Sequence, residues 1–407
     1  MKIEADWLRE PALAALLVAL NRDGEEARVV GGAVRNTLLA LPHGDIDIAT
    51  TALPDEVMRR AEAGGFKAVP TGIDHGTITV VIEGRPYEVT TLREDVETFG
   101  RRATVKFGRD WTRDAQRRDF TMNALFLSPD GTVHDFVGGL ADLEKRHVRF
   151  IGDAAARITE DYLRILRFFR FHAYYGEGLP DAGGLTATIQ ARAGLDQLSR
   201  ERVRMELVKL LVAPHAVPAL AVMAEVGLLG TVLGGVPRLA SCANMAKVEA
   251  ACGLAPDATR RLGALAVWLT EDADRLWQRL RLSNAERERL TAMSETWWRV
   301  SPAMGEEKAR ELIYRIGADH FTERALLAWS RSEASAHDDA WRALATLPQR
   351  WQAPAFPLRA ADFIARGMEK GPVLGSALAR SEEMWIRDGF PLERKALDRI
   401  VNEALGG

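Results

Sequence analysis

Asp45 and Asp47 stand one residue apart in the run VVGGAVRNTLLALPHGDIDIAT, Val29 to Thr50. Read on a strand, alternate side chains leave the same face, so both carboxylates point one way. Two such groups repel each other unless a cation sits between them. Hard oxygen ligands of this kind suit Mg²⁺, which also binds substrate phosphates. Upstream, Gly31-Gly32 closes an apolar strand and opens a helix. Bare backbone N–H groups at a helix N-terminus suit phosphate. A phosphate cradle beside metal carboxylates implies phosphoryl or nucleotidyl transfer. A Gly-Gly or an Asp-x-Asp alone is a weak signal; their order on strand, turn, helix and strand is specific. A dinucleotide-binding loop is excluded, because G-x-G-x-x-G is missing and the acidic pair comes too soon.

Two further runs carry chemistry. In RRDFTMNAL, Arg117 to Leu125, Arg117 and Arg118 are bidentate donors suited to phosphate. Asp119 and Thr121 are placed to brace a loop, and Asn123 to hydrogen-bond a sugar or backbone. In EDYLRILRFFRF, Glu160 to Phe171, a helix read over Ala155–Tyr175 makes Asp161 and Arg164 neighbours at i and i+3. An aspartate acceptor beside an arginine donor matches the Watson–Crick edge of a base; a solvated salt bridge is the plainer reading. Arg167 and Arg170 continue the register. Leu163, Ile165, Leu166, Phe168 and Phe169 bury most of this helix, so its arginines require an anionic ligand or acidic partners.

The elements that must position these groups divide the chain. Up to about Ile151 short β-branched runs bounded by Gly, Pro or Asp read as strands: Ala27–Val30, Ile46–Ala49, Thr77–Ile82, Arg85–Thr91, Ala124–Leu127 and Val133–Phe136. Helices fit Val34–Leu41 and Pro54–Ala63, and Glu83-Gly84 marks a hairpin. Arg93–Arg117 is charged, lacks periodicity and reads as a mobile loop near the site. From Asp153 onward strand signals disappear and helical spacing takes over, through Glu201–Leu211, Ala216–Val226, Ala258–Trp268, Glu286–Trp298 and Lys308–Ile316. The class is α+β, with a mixed-sheet head and a helical remainder. Trp297-Trp298 reads as core packing in preference to stacking on nucleic-acid bases.

At 407 residues the chain has room for two or more cores. Its net charge of −3 argues against a nonspecific polyanion binder, yet basic residues cluster locally, as at Arg101, Arg102, Lys106 and Arg109. Cys242 and Cys252 make no disulfide framework and no zinc spacing, which points to a reducing, cytoplasmic compartment. The acidic N-terminus does not resemble a signal peptide. Pro11–Leu20 is too short for a bilayer and reads as a buried helix. His337-Asp338 lacks histidine partners for a phosphohydrolase cluster and reads as a solvated helix face. Nothing marks a membrane or a protein partner.

The series GGAVRN, DIDIAT, GIDHGT from Gly72, RRDFTMNA, DFVGG from Asp135, EDYLRILRFFRF and SRERVRMEL from Ser199 resembles the class II tRNA nucleotidyltransferases. That family holds CCA-adding enzymes and bacterial poly(A) polymerases. The motifs run in family order over about residues 27–211, and Phe356–Leu378 resembles the family's C-terminal region. The resemblance implies an N-terminal helix (1–26), a polymerase-β-like catalytic head (27–151), a neck that recognises the base (152–215), and a helical body and tail that grip tRNA (216–407). It implies that Asp45 and Asp47 are catalytic and bind two Mg²⁺ ions. Gly31, Gly32 and Arg35 would contact the nucleotide, and Arg118 its triphosphate or ribose. Asp161 and Arg164 would read cytosine and then adenine, with Arg167 and Arg170 in support. CTP and ATP would be substrates and tRNA the partner.

Two departures stand out. Asn36 replaces a common aspartate and is assigned to structure, and Arg359-Ala360-Ala361 stands where a glycine is common. Glu88 is the candidate third metal carboxylate. GIDHGTITV and FGRRATVKF, with no basic tail, favour CCA addition. The alternatives are a poly(A) polymerase, an A-adding enzyme and a catalytically silent RNA-binding protein.

Overall fold

Ala27–Val30 forms β1, in the middle of the head, because its side chains are apolar wherever they meet packed protein: Ala27, Val29 and Val30 are buried. A computed structural model describes residues 1–99 and 102–406, with 95–99, 102–105 and 406 described by backbone alone. The chain divides into two compact units, Met1–Val232 and Leu233–Gly407.

The first unit is built on a seven-stranded mixed sheet in the order β3-β4-β5-β2-β1-β8-β9. The strands are β1, β2 (Asp47–Thr50), β3 (Lys67–Gly72), β4 (Thr77–Ile82), β5 (Arg85–Thr91), β8 (Leu125–Leu127) and β9 (Val133–Asp135). Only β2 and β5 pair in parallel, and their register sets Asp47 opposite Glu88. Helix α1 (Pro11–Leu20) buries Leu13, Leu16, Leu17 and Leu20, a stripe at helical spacing, and packs on α3 (Pro54–Ala63). The β4–β5 turn has Glu83 at φ 51° and Gly84 at φ 81°, the left-handed pair that a two-residue hairpin requires.

Three local expectations are corrected. Strand β2 begins at Asp47, so Asp45 lies in the preceding loop and not on the strand. The run read as a loop from Arg93 contains a separate two-stranded ladder, β6 (Arg93–Phe99) with β7 (Arg102–Phe107), followed by α4 (Trp111–Gln116). These strands pair only with each other, so no sheet face had to be apolar and no alternation arose. Arg101 lies outside the described residues. Strand β3 has no counterpart among the expected strands. It contains Pro70, sits at the sheet edge and is bulged between Val69 and Gly72, where a missing N–H is tolerated.

The expected helix over Ala155–Tyr175 is two helices, α6 (Ala154–Glu160) and α7 (Leu163–Tyr175). Asp161 breaks it in an extended conformation, φ −155° and ψ 106°. An aromatic cluster seats α7 on the head. Phe120 lies 4.9 Å from Phe150 and 5.0 Å from Phe171, and Phe150 stacks on Phe168 at 5.4 Å. Helix α8 (Ala182–Gln190) packs on α6, and α9 (Arg200–Leu211) packs on α7 beside the site; Ser199 caps α9 by accepting from the Arg202 N–H. The intervening helices are α2 (Gly32–Leu38) and α5 (Gly139–Glu144).

Among its described residues the second unit has helices and connecting loops but no strand. Its core holds an ion network in which Glu249 pairs with Arg260 and Arg261, and Arg260 with Glu323. His337 is exposed and Asp338 half-buried; the pair precedes the helix Asp339–Ala345, which Asp338 caps by accepting from the Trp341 N–H at 2.9 Å.

Candidate active site

At the end of β1 the chain turns through Gly31 at φ +77°, a conformation that favours glycine, and enters α2. One turn later Arg35 is buried where α2 meets α7. It donates to Asn123 Oδ1 at 2.5 Å and to the Tyr175 hydroxyl at 2.7 Å, and its guanidinium lies 3.9 Å from the Tyr175 ring centre. Burial pulls its pKa down, against the opposing fields of Tyr175 and Asp119. Asn36 accepts from Arg35 at 2.9 Å and donates to the Pro42 carbonyl at 2.8 Å. Its amide thus ties α2 to the loop that leads to Asp45.

Asp47 stands on β2 with Glu88 beside it in register on β5, so their carboxylates share a face. Asp47 keeps an exposed surface, yet enclosure by surrounding protein pushes its carboxyl up to about 6. Glu88 and Asp45 add to the rise, and Arg118 opposes it. This is an anionic face in want of a cation. Among the described residues no three acidic, histidine or cysteine side chains already converge on one point.

The RRDFTMNA loop is held from several sides. Buried Asp114 on α4 pairs with Arg117 at 2.7 Å and Arg118 at 2.9 Å and so positions both. Asp119 accepts from Arg167 at 2.8 Å, from Asn123 at 3.1 Å and from the Phe120 N–H at 2.9 Å. Burial alone would raise its carboxyl; Arg167 and these donors outweigh it and hold the group at about 2. Thr121 donates to Asp142 at 2.6 Å. The DFVGG run serves this loop. Asp135 accepts four backbone N–H groups, from Val137, Gly138, Gly139 and Leu140. A Cβ at Gly139 would lie 2.3 Å from the Thr121 carbonyl oxygen.

On the neck side, Asp161 and Arg164 do not pair with each other as their spacing suggested. Asp161 accepts from the Leu163 N–H at 3.1 Å and from Arg202 at 2.6 Å. Arg164 pairs with Glu160 and donates to the Arg157 carbonyl at 2.7 Å. Arg167 goes to Asp119, and Arg170 to Glu206 at 2.5 Å. The acidic partners of Arg167 and Arg170 therefore come from other motifs, while that of Arg164 comes from its own.

Several of these side chains line one cleft of about 620 Å³. Gly31, Gly32, Arg35, Asp47 and Arg118 reach it from the sheet and its adjoining turns, and Asp161, Arg164, Arg167 and Arg170 from the α6–α7 bend and α7. Asp45 and Glu88 are not part of its wall. Sequence reasoning did not single out His75, Thr77, Tyr175 and Phe171 for the site, nor assign a role to Arg202 or Glu206. The last two stand four apart on α9, a spacing that places both on one face toward α7.

Residues 27–149 match the poly A polymerase head domain model, and residues 185–242 match one described as the probable RNA and SrmB-binding site of polymerase A. The mitochondrial CCA tRNA nucleotidyltransferase 1 of Danio rerio is 33% identical over 417 residues, covering 98% of this chain and 93% of that protein. A CCA-adding enzyme of Limosilactobacillus fermentum is 33% identical over 407 residues, the whole of both chains. The chain belongs to the CCA tRNA nucleotidyltransferase family. Its fold matches the Bacillus stearothermophilus CCA-adding enzyme crystallised with CTP, at a TM-score of 0.72 and 26% identity over 98% of each chain. The family resemblance and the α+β class are thereby borne out. Nucleotidyltransferases of this family are metal-dependent, and the hard oxygen donors beside Asp47 fit such a cation. No helix among the described residues is long and apolar enough to cross a membrane.

Proposed function

We propose that the chain completes the 3′ end of tRNA by adding C, C and A from CTP and ATP, releasing pyrophosphate at each addition. The observation that carries this reading is the single cleft that joins a carboxylate face at Asp47, arginine donors at Arg117 and Arg118, and a polar pair at Asp161 and Arg164. The reaction is attack of the tRNA 3′-hydroxyl on the α-phosphorus of the nucleotide. Asp45 and Asp47 hold Mg²⁺, with Glu88 as a further oxygen donor. When bound, the metal neutralises charge on the reacting oxygens. Arg117 and Arg118, braced by Asp114, hold the triphosphate near the Gly31-Gly32 turn.

Base choice follows from donor and acceptor types. Cytosine and adenine share an exocyclic amine, which donates, whereas uracil and guanine present a carbonyl at that edge. Asp161 accepts from the amine and Arg164 donates to the neighbouring ring nitrogen. A wrong base leaves both groups unpaired, which is strongly penalised. Head (27–151) and neck (152–215) supply this chemistry, and residues 216–407 bind tRNA.

Purified protein is incubated with tRNA transcripts ending before CCA, after C and after CC, with each nucleotide separately. The expected products are C on the first two and A on the third, with no extension beyond. Long A tails on unstructured RNA, with no C added to tRNA, would replace this reading with a poly(A) polymerase.

A further inference from the structure

Away from the cleft, the second unit carries an arrangement of aromatic rings and cations that its fold does not use up. Trp268 and Trp297 meet edge to face at 4.7 Å, and Trp297 meets Trp298 in the same way at 6.1 Å. Two of these rings are open to solvent: Trp298 is 57% exposed and Trp268 36%, with the neighbouring Leu269 side chain 51% exposed. The sequence pattern had pointed to core packing for Trp298, and its exposure corrects that.

Two arginines press on the cluster. Arg238, exposed, lies 3.9 Å from the Trp268 ring centre. Arg331 lies 4.6 Å from Trp268 and 4.5 Å from Trp297. Among the described residues neither has a salt bridge; Arg331 Nη2 donates to the Gly263 and Val267 carbonyls, while its Nε and Nη1 are buried without a hydrogen-bond partner. The neighbouring carboxylate, Asp272, is already engaged by the Trp268 and Leu269 N–H groups and by Arg275. Burial, and then the field of Arg238, push the Arg331 guanidinium down to about 9, against the weaker opposing field of Asp272. Charge of one sign beside an exposed ring is complementary to a polyanion that carries flat rings.

We infer that this surface is an RNA-binding site, in which Trp298 stacks on an unpaired base and Arg238 meets the adjoining phosphate. Arg331 lies beneath, fixes the Trp268 and Trp297 rings and adds its charge. The inference rests on the reading of the chain as acting on tRNA, and it assigns a loop base, not duplex, to this surface. A duplex hides its ring faces within the stack, whereas loops splay them out.

The test uses the full chain, a labelled tRNA transcript lacking CCA, and a blunt acceptor-stem duplex without a loop. Trp298→Ala should weaken tRNA binding roughly tenfold and leave duplex binding unchanged. Trp298→Phe should restore most of the loss. Arg238→Gln, at an exposed position, should lower the slope of log affinity against log salt by about one. The KM for CTP should not move. Wild-type tRNA affinity in both Trp298→Ala and Arg238→Gln would overturn the inference, and so would equal losses on tRNA and duplex. Wild-type protein that binds tRNA through this surface but adds no nucleotide would instead overturn the proposed reaction.

Discussion

Asp161 and Arg164 stand three residues apart, yet their side chains are not partners: Asp161 is held by Arg202 at 2.6 Å and Arg164 by Glu160. The separation matters for the proposed chemistry. A carboxylate and a guanidinium bonded to each other would offer a base little. Held apart by third residues, the acceptor and the donor both remain directed at the cleft.

Base discrimination should therefore depend on residues that need not touch the base. Arg164→Ala should blur selection among CTP, ATP, UTP and GTP more than it weakens triphosphate affinity. Arg202→Gln should relax discrimination against UTP by roughly tenfold, the scale of one misplaced polar contact. Single-turnover rates with each nucleotide measure both effects. Unchanged selectivity in folded Arg164→Ala protein would return that residue to a structural salt bridge.

Asp45→Ala or Asp47→Ala should abolish nucleotide addition while leaving tRNA affinity near wild type. Because Asp47 ionises at about 6, protons should compete with the metal below that pH. The Mg²⁺ concentration needed for half-maximal activity should rise as pH falls from 7 to 5. A metal requirement that stayed flat over this range would remove Asp47 from the ligand set.

The Asp119–Arg167 pair should contribute stability with a defined pH window. The folded carboxyl sits at about 2 against an ordinary value of 3.8, so the folded state favours its charged form. The contribution, on the order of 2 kcal/mol, is present above the unfolded pKa and lost as pH falls through the folded one. Asp119→Asn should lower stability at pH 6, and the gap to wild type should close between pH 4 and 2. Urea denaturation across that range tests it; a gap independent of pH would count against this coupling.

Gly139→Ala should destabilise the protein by about 1–3 kcal/mol, the usual cost of overpacking, since its Cβ would lie 2.3 Å from the Thr121 carbonyl oxygen. The displaced loop carries Arg117 and Arg118, so the KM for CTP should rise as well. A denaturation midpoint and KM both matching wild type would show that the loop yields freely.

By itself the sequence determined what rests on neighbours along the chain. Strands β1, β4 and β5, helices α1 and α3, and the Glu83-Gly84 turn lie where their patterns placed them, because side-chain period and left-handed turn residues are local properties. Nine of the residues singled out for the site do line one cleft, since the motifs that carry them are short and sit at element ends. Tertiary structure decided the rest. The partners of Arg167 and Arg170 lie 48 and 36 residues away, and ion pairs at that range leave no spacing to read. Strand β3 exists because β4 offers it an edge, and β6 and β7 because each offers the other one. Asp161 leaves the helix because the chain bends where Arg202 and the Leu163 N–H capture its carboxylate. Trp298 faces outward for a like reason: helical spacing marks an apolar face, but only packing shows whether another element covers it.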